Sequence, residues 1–253
     1  MDGLKHYAIT VTYDGQDFCG SQLQPQKRTV QGQLEQALKA VIGCDTCVNS
    51  AGRTDSGVSA EKQVFTFVSA KEFNENTIVR ALNFYLPPDI AVKSAKEVTT
   101  DFSARYDAIS RTYIYSIINS SVRPVLERRY AHWIAGHLDV KLMQQAALLL
   151  EGEHDFASFT SGTVGEDKST VRVITHAAVS QEGQKITMIF TANSFLAHQV
   201  RNMAGALASV GLGEISLDQF KKIMDNKTRG SFTCLPPHGL LLKSTNYRSE
   251  HGI

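Results

Sequence analysis

Polarity alternates with a period of two along most apolar stretches of this chain, and that period limits what it can fold into. From His6 to Tyr13, the residues Tyr7, Ile9, Val11 and Tyr13 fall on one face of an extended segment, as in a strand buried on one side. Ser110 to Ile118 repeats the pattern, with Thr112, Ile114 and Ser116 opposite Tyr113, Tyr115 and Ile117. Gln63 to Val68, Ile90 to Val92 and Leu240 to Tyr247 read as further strands. Val171 to Val179 and Ile186 to Ala192 read as a hairpin around Glu182-Gly183. Strands of this kind belong to mainly antiparallel sheets with helices on one face.

Helical periodicity appears between the strands. Val30, Leu34, Ala37, Leu38 and Val41 form one stripe, with Thr29 as N-cap and Gly43 as the stop. Asn76 to Phe84 predicts a second helix, ended before Pro87-Pro88. Asp139 caps a third that runs through Leu142, Ala146, Leu149 and Leu150 and stops at Gly152. Leu196 to Leu212 reads as a buried helix and Leu217 to Met224 as a short one, whereas the Gly- and Ser-rich segment from Phe159 to Lys168 is expected to be mobile. Strand, helix and strand thus recur in similar order within residues 1–107 and 108–253. The expectation is an α+β (α/β) fold of two similar halves descended from a distant duplication.

A chain of 253 residues, 42% hydrophobic and 20% charged, has room for such cores. Its 26 basic and 25 acidic side chains nearly cancel, which argues against a nonspecific polyanion binder but not against a local basic cleft. No apolar run approaches the roughly 18 residues of a membrane span. Met1 to His6 leads into a strand pattern without the apolar region of a signal peptide, so a cytoplasmic protein is expected. Cys44-Asp45-Thr46-Cys47 is a lone CxxC, lacking the second pair or spaced histidines of a metal site. No phosphate loop, dinucleotide fingerprint or metal-ligand cluster appears, and no cofactor is expected.

The stretch Ala51-Gly52-Arg53-Thr54-Asp55-Ser56-Gly57-Val58 carries the chemistry on offer. Glycines let another backbone or a ligand come close, and a Gly-framed polar loop beside a strand is either a surface turn or a site. Asp55 is the best-framed reactive group, because a carboxylate acts as a covalent nucleophile without a cofactor, as at sugar C1 in glycoside cleavage. If the segment is extended, Arg53 and Asp55 project to the same side and a cation lies beside the carboxylate. The 8 histidines are scattered singly, and no serine sits in a nucleophile elbow. Arginines and aromatics recur together at Arg105 and Tyr106, Arg111 and Tyr113, and Arg129, Tyr130 and Trp133. Each is either a solvated arginine beside a core aromatic or part of an RNA surface of phosphate contacts and base stacking.

Taken together these stretches resemble the TruA family of tRNA pseudouridine synthases. Gly52 to Val58 is similar to that family's signature. The other matches follow in order: Tyr13-Asp14-Gly15 through Gly20, Thr29 to Glu35, Leu86 to Ile90, Phe102 to Tyr106, Arg111 to Tyr115, Gly152 to Phe156, Phe195 to Met203 and Pro236 to Leu240. The resemblance implies isomerisation of uridine to pseudouridine at positions 38 to 40 of the tRNA anticodon arm, without cofactor or metal. It also implies a homodimer whose α/β halves meet at a basic cleft (the pseudouridine synthase fold), with RNA and neither DNA nor a membrane as its partner. Asp55 matches the nucleophile, and Tyr113 the tyrosine that stacks on the target base and assists proton removal. Arg53 matches the arginine that helps flip the base, and Arg201 one that pairs with the catalytic carboxylate. Phe102, Ser103, Ala104, Arg105 and Tyr106 match a segment that contacts RNA.

The chain departs from the family at Ser21, where Trp is usual, and at Ser59, where His is usual. A paralogue with an altered target uridine would carry such changes. A noncatalytic tRNA-binding or folding protein on the same scaffold would not need the carboxylate. A glycosidase or nucleosidase would need a second carboxylate partner for Asp55, and none stands out.

Overall fold

The computed structural model describes residues 3–161, 169–225 and 230–253. The chain forms two compact units, residues 1–111 with 242–253, and residues 112–241. The first break therefore falls at Arg111, four residues beyond Asp107, and most of the last strand belongs with the first unit.

In the first unit β1 (Lys5–Tyr13) lies between β3 (Ser59–Ser69) and β4 (Ile90–Val98), antiparallel to both, with Ile9 opposite Phe65 and Ala95. The short β2 (Asn49–Ser50) pairs with β3, whose other neighbour is β10 (Leu240–Asn246). Alternation in β1 predicts one buried face, yet Tyr7, Ala8, Ile9, Thr10 and Val11 are all buried. The reason lies far along the chain. Phe102, Ala104 and Tyr247 cluster with Ala8, Ala51 and Val64, so the face carrying Ala8 is covered as well. Small residues on that face let the covering segment approach closely.

Helix α1 (Val30–Ile42) forms as its caps dictate. Thr29 Oγ1 accepts from Gly32 N–H at 3.2 Å, and Gly43, at φ +90°, closes the far end with its N–H on Lys39 O. Its buried stripe is Val30, Leu34, Ala37, Leu38 and Ile42, so Ile42 rather than Val41 completes the i, i+4 row. Helix α2 (Glu75–Tyr85) packs on α1 and on β4. Its Asn83 amide donates to Val92 O at 2.8 Å and accepts from Val92 N–H at 2.7 Å, close to where β4 slips register against β1. A second slip separates the pairs Val11–Gln63 and Tyr13–Ala60, putting an extra residue in β3, and Thr12 Oγ1 bonds Ala60 O there at 3.0 Å. Bulges re-aim a strand beside a site, and this one adjoins the Gly-framed loop.

In the second unit β5 (Ser110–Asn119), β9 (Lys185–Ala192), β8 (Val171–Glu182) and β7 (Gly152–Asp155) are neighbours in that order. The β8–β9 hairpin turns at Gly183, and β6 (His132–Ile134) runs parallel to β5. Helix α3 (Val140–Leu148) is capped by Asp139, which accepts from Leu142 N–H at 3.0 Å. In α4 (Gln199–Gly211) every residue except Arg201 is buried, in keeping with its apolar sequence. A Cβ on Gly205 would lie 1.9 Å from Thr233 O, so this helix meets backbone directly. The amphipathic α5 (Leu217–Asp225) buries Phe220 and Met224. Phe159, expected to open a mobile segment, is instead fully buried and stacked on Phe232 with ring centroids 5.6 Å apart. Residues 162–168 of that segment lie outside the described residues. Among the described residues no helix is long and apolar enough to cross a membrane.

His132 on β6 and His238, in a turn before β10, place their rings 6.0 Å apart. Burial holds both imidazoles below their ordinary pKa of 6.5, and for His132 the neighbouring His238 adds to the effect; the Ala131 backbone partly offsets it for His238. Below that ordinary value the unfolded chain binds protons that the folded protein refuses, so stability falls with pH through this window. The thermal midpoint should therefore drop from about pH 7 to pH 5, and more gently in His238→Gln. Equal pH slopes for the two proteins would remove the pair from the account.

Candidate active site

The Gly-framed loop joins β2 to β3 and is not itself extended strand. It bends at Ala51-Gly52 and turns at Ser56-Gly57, where Gly57 takes φ +81°. Strand alternation therefore does not govern where Arg53 and Asp55 point; Arg53 is exposed and Asp55 half-buried. The entry is fixed by Ala51 N–H on Val64 O at 2.8 Å and by the Gln63 amide on Gly52 O at 2.6 Å. Val58 N–H closes the turn on Asp55 O at 3.2 Å.

A strap, residues 14–28, runs from β1 to α1 and grips this loop. Ser21 and Thr54 exchange two bonds: Thr54 N–H donates to Ser21 Oγ at 2.8 Å and Ser21 N–H to Thr54 O at 3.1 Å. The Thr54 hydroxyl meets the Tyr13 hydroxyl at 2.8 Å. Phe18 O accepts from Ser56 Oγ at 3.1 Å and from Gly57 N–H at 3.4 Å, while Gly15 N–H donates to Ser59 Oγ at 3.0 Å. Backbone meets backbone here. A Cβ on Gly15 would stand 1.9 Å from Val58 O, and one on Gly20 (φ +87°) 2.9 Å from Thr54 O. Both departures noted in the sequence, Ser21 and Ser59, are hydrogen-bond partners in this grip.

The strap is braced from behind. Arg28 makes two 2.8 Å bonds to Asp89 and lies 4.1 Å above the Phe18 ring. The fork-on-fork geometry is the strong form of this pair, and the Arg28 hydrogen bond holds the Asp89 carboxyl below the usual range.

Of the five residues expected to meet RNA, Phe102 and Ala104 are buried in the core, Ser103 is half-buried, and Arg105 and Tyr106 are exposed. Tyr106 is 81% exposed, with the Arg105 guanidinium 5.5 Å from its ring centre. Phe102 and Ala104 thus anchor the segment while Arg105 and Tyr106 present it. Arg111, grouped in the sequence with the RNA-type arginines, acts inside the unit. Its guanidinium donates to Arg105 O at 2.7 Å, Ala51 O at 3.1 Å and Ala108 O at 3.1 Å, tying the presented segment to the start of the Asp55 loop. Tyr247 adds a bond from its hydroxyl to Ala104 O at 2.6 Å.

In the second unit Tyr113 lies half-buried on β5, its ring edge-on to Phe195 with centroids 5.3 Å apart. Phe195 opens the Phe195–Met203 match in the sequence but carries no assigned role there; its place just before α4 is the signal. His198, at φ +59°, opens α4, and Arg201 follows in its first turn. Arg201 Nε donates to Leu235 O at 2.7 Å, and Leu235 N–H returns to Arg201 O at 3.3 Å. The neighbouring Pro236 O accepts from Tyr115 OH at 2.8 Å. Burial pushes the Tyr115 phenol far up, with Arg201 opposing, so it stays a donor. Thus Asp55, Arg53, Arg105 and Tyr106 belong to the first unit, and Tyr113 and Arg201 to the second.

The sequence profile of a family described as tRNA pseudouridine synthase matches residues 9–107 and 146–248. The chain belongs to this family. The strap, the Asp55 loop and the presented segment fall in the first match and Arg201 in the second. Tyr113 lies between the two. Proteins named tRNA pseudouridine synthase A are similar over nearly their whole length. That of Pseudothermotoga lettingae is 40% identical over 247 residues, covering 96% of this chain and all of the relative. That of Caldicellulosiruptor bescii is 38% identical over 245 residues, with the same coverage. That of Legionella pneumophila strain Corby is 39% identical over 248 residues, covering 97% of this chain and 94% of the relative. For a tRNA pseudouridine synthase with this strap, Gly15→Ala forces backbone apart at Val58. Urea unfolding should register a loss of roughly 1–3 kcal/mol, and an unchanged midpoint would show that the contact is not required.

Proposed function

We propose that this protein isomerises uridine to pseudouridine in tRNA, with Asp55 as nucleophile, at positions 38 to 40 of the anticodon arm. One observation carries the reading: in a chain of the tRNA pseudouridine synthase family, a half-buried carboxylate follows a residue whose amide, carbonyl and hydroxyl are all bound. Such fixation suits a group that must meet one atom of a flipped nucleotide.

The reaction breaks C1′–N1, turns the uracil, and joins C1′ to C5. Asp55 attacks either C1′, with N1 leaving on its electron pair, or ring C6. In the first route the Asp55–C1′ bond breaks as C5 takes C1′. In the second C1′–N1 breaks, C5 takes C1′, and the Asp55–C6 bond breaks as C5=C6 re-forms. In both the C5 proton departs, N1 carries one and the carboxylate is released, so nothing is consumed. Extruding the base costs a few kcal/mol, within reach of stacking worth roughly 1–3 kcal/mol per base plus phosphate contacts. Arg53, exposed on the loop, takes the space the base leaves. Tyr113, its ring set by Phe195, stacks on the uracil and assists removal of the C5 proton. Arg201, oriented by Leu235 O, pairs with the carboxylate. Arg105 and Tyr106 contact the RNA, with Phe102, Ser103 and Ala104 as the frame beneath them. The working form is a homodimer in the cytoplasm.

Asp55→Asn should abolish pseudouridine formation in transcribed tRNA with binding nearly intact; residual turnover at the wild-type rate would refute the nucleophile. Tyr113→Phe keeps the stacking face and should slow turnover, and an unchanged rate would leave its hydroxyl without a role. Binding should weaken as salt rises, since phosphate contacts release counterions. A salt-independent affinity would count against the RNA surface.

A further inference from the structure

We infer that Ser21 is a positioning residue for Asp55, acting through the peptide of Thr54. The inference rests on the reading of Asp55 as nucleophile. Asp55 is one peptide bond from Thr54, so any rotation of that peptide swings the carboxylate. Ser21 holds both peptides that flank the Thr54 Cα, its hydroxyl on Thr54 N–H at 2.8 Å and its amide on Thr54 O at 3.1 Å. Ser21 is itself held, because its carbonyl accepts from Gln31 N–H at 3.0 Å in the first turn of α1. The chain of contacts thus runs from a capped helix, through Ser21, to the residue preceding the nucleophile.

Burial makes the hydroxyl hard to replace. Ser21 is 1% exposed and Thr54 7%, so solvent is poorly placed to satisfy Thr54 N–H if the hydroxyl is removed. An unsatisfied buried donor drives a local shift toward another acceptor, and a catalytic group tolerates displacements of only about half an ångström. The far side of Thr54 is restrained separately, by Tyr13 OH on its Oγ1. Loss of the Ser21 hydroxyl therefore leaves the loop in place, with Ser21 N–H still on Thr54 O, but frees the Arg53–Thr54 peptide to turn and to tilt the Thr54 backbone that carries Asp55. The segment that carries Arg105 and Tyr106 is anchored without Ser21, by Arg111 on Arg105 O and Tyr247 on Ala104 O. Binding and turnover should thus separate.

The test measures kcat and KM for pseudouridine formation with transcribed tRNA in wild type, Ser21→Ala, Ser21→Cys and Asp55→Asn, with rates scaled to the folded fraction by near-ultraviolet circular dichroism. Ser21→Ala should lower kcat about tenfold or more, the equivalent of about 1.4 kcal/mol at the barrier. KM should stay within about twofold of wild type. Ser21→Cys keeps the size and the backbone bonds and substitutes a weak acceptor, so its kcat should fall between the two. It also carries the test should Ser21→Ala not fold. Wild-type kcat in both serine variants, or a raised KM at unchanged kcat, would overturn the inference. If that occurs while Asp55→Asn is inactive, only the role of Ser21 falls; an active Asp55→Asn removes the nucleophile reading itself.

Discussion

Thr54 is the residue on which the first unit's loop architecture turns. Its amide, carbonyl and side-chain hydroxyl are each bound, by Ser21 and by Tyr13. Two segments can exchange bonds at that distance only if their backbones approach closely. That requirement reaches back into the sequence as Gly15 and Gly20, where any Cβ would strike Val58 or Thr54. The strap is also braced from outside the loop contact. Arg28, clamped to Asp89 and laid over Phe18, supplies rigidity that the glycines cannot.

Arginines that look alike in sequence divide into two physical kinds. Arg111 has three backbone carbonyls around its guanidinium and works as an internal staple between the start of the Asp55 loop and residues 105–108. Arg105, six residues earlier, is exposed beside an exposed tyrosine. The five donors of a guanidinium suit both tasks, bridging carbonyls that would otherwise be buried unpaired or meeting phosphate. Here Arg111 and Tyr247 hold the segment from which the exposed Arg105 projects.

Features set by local chemistry were legible in the sequence. Thr29, Gly43 and Asp139 bound their helices where the cap pattern placed them, because a cap involves residues three or four apart. The buried character of α4 followed from its composition. Burial of both faces of β1 was not legible, since Phe102 and Tyr247 cover Ala8 from about one hundred and more than two hundred positions away and leave no periodic trace in β1. Phe159 was misread for a related reason: glycine and serine around it suggested a mobile segment, while its partners Phe220 and Phe232 lie far downstream. At the site, Asp55 stood out through its glycine frame and the resemblance it carried. The grip on it did not, because a serine hydroxyl is without a sequence pattern until its acceptor and donor geometry is known. Tyr113 was recognisable only as part of a motif, and the ring that sets its orientation, Phe195, belongs to another element altogether.

Asn83 gives the sheet of the first unit a property that its strand order alone would not. β4 ends that sheet, and an open edge is a template on which a further strand can polymerise. At Val92 the Asn83 side chain supplies one donor and one acceptor in the manner of a neighbouring peptide group. An intruding chain must displace both bonds before it can pair there. Self-association by strand addition is thereby obstructed at this end of β4.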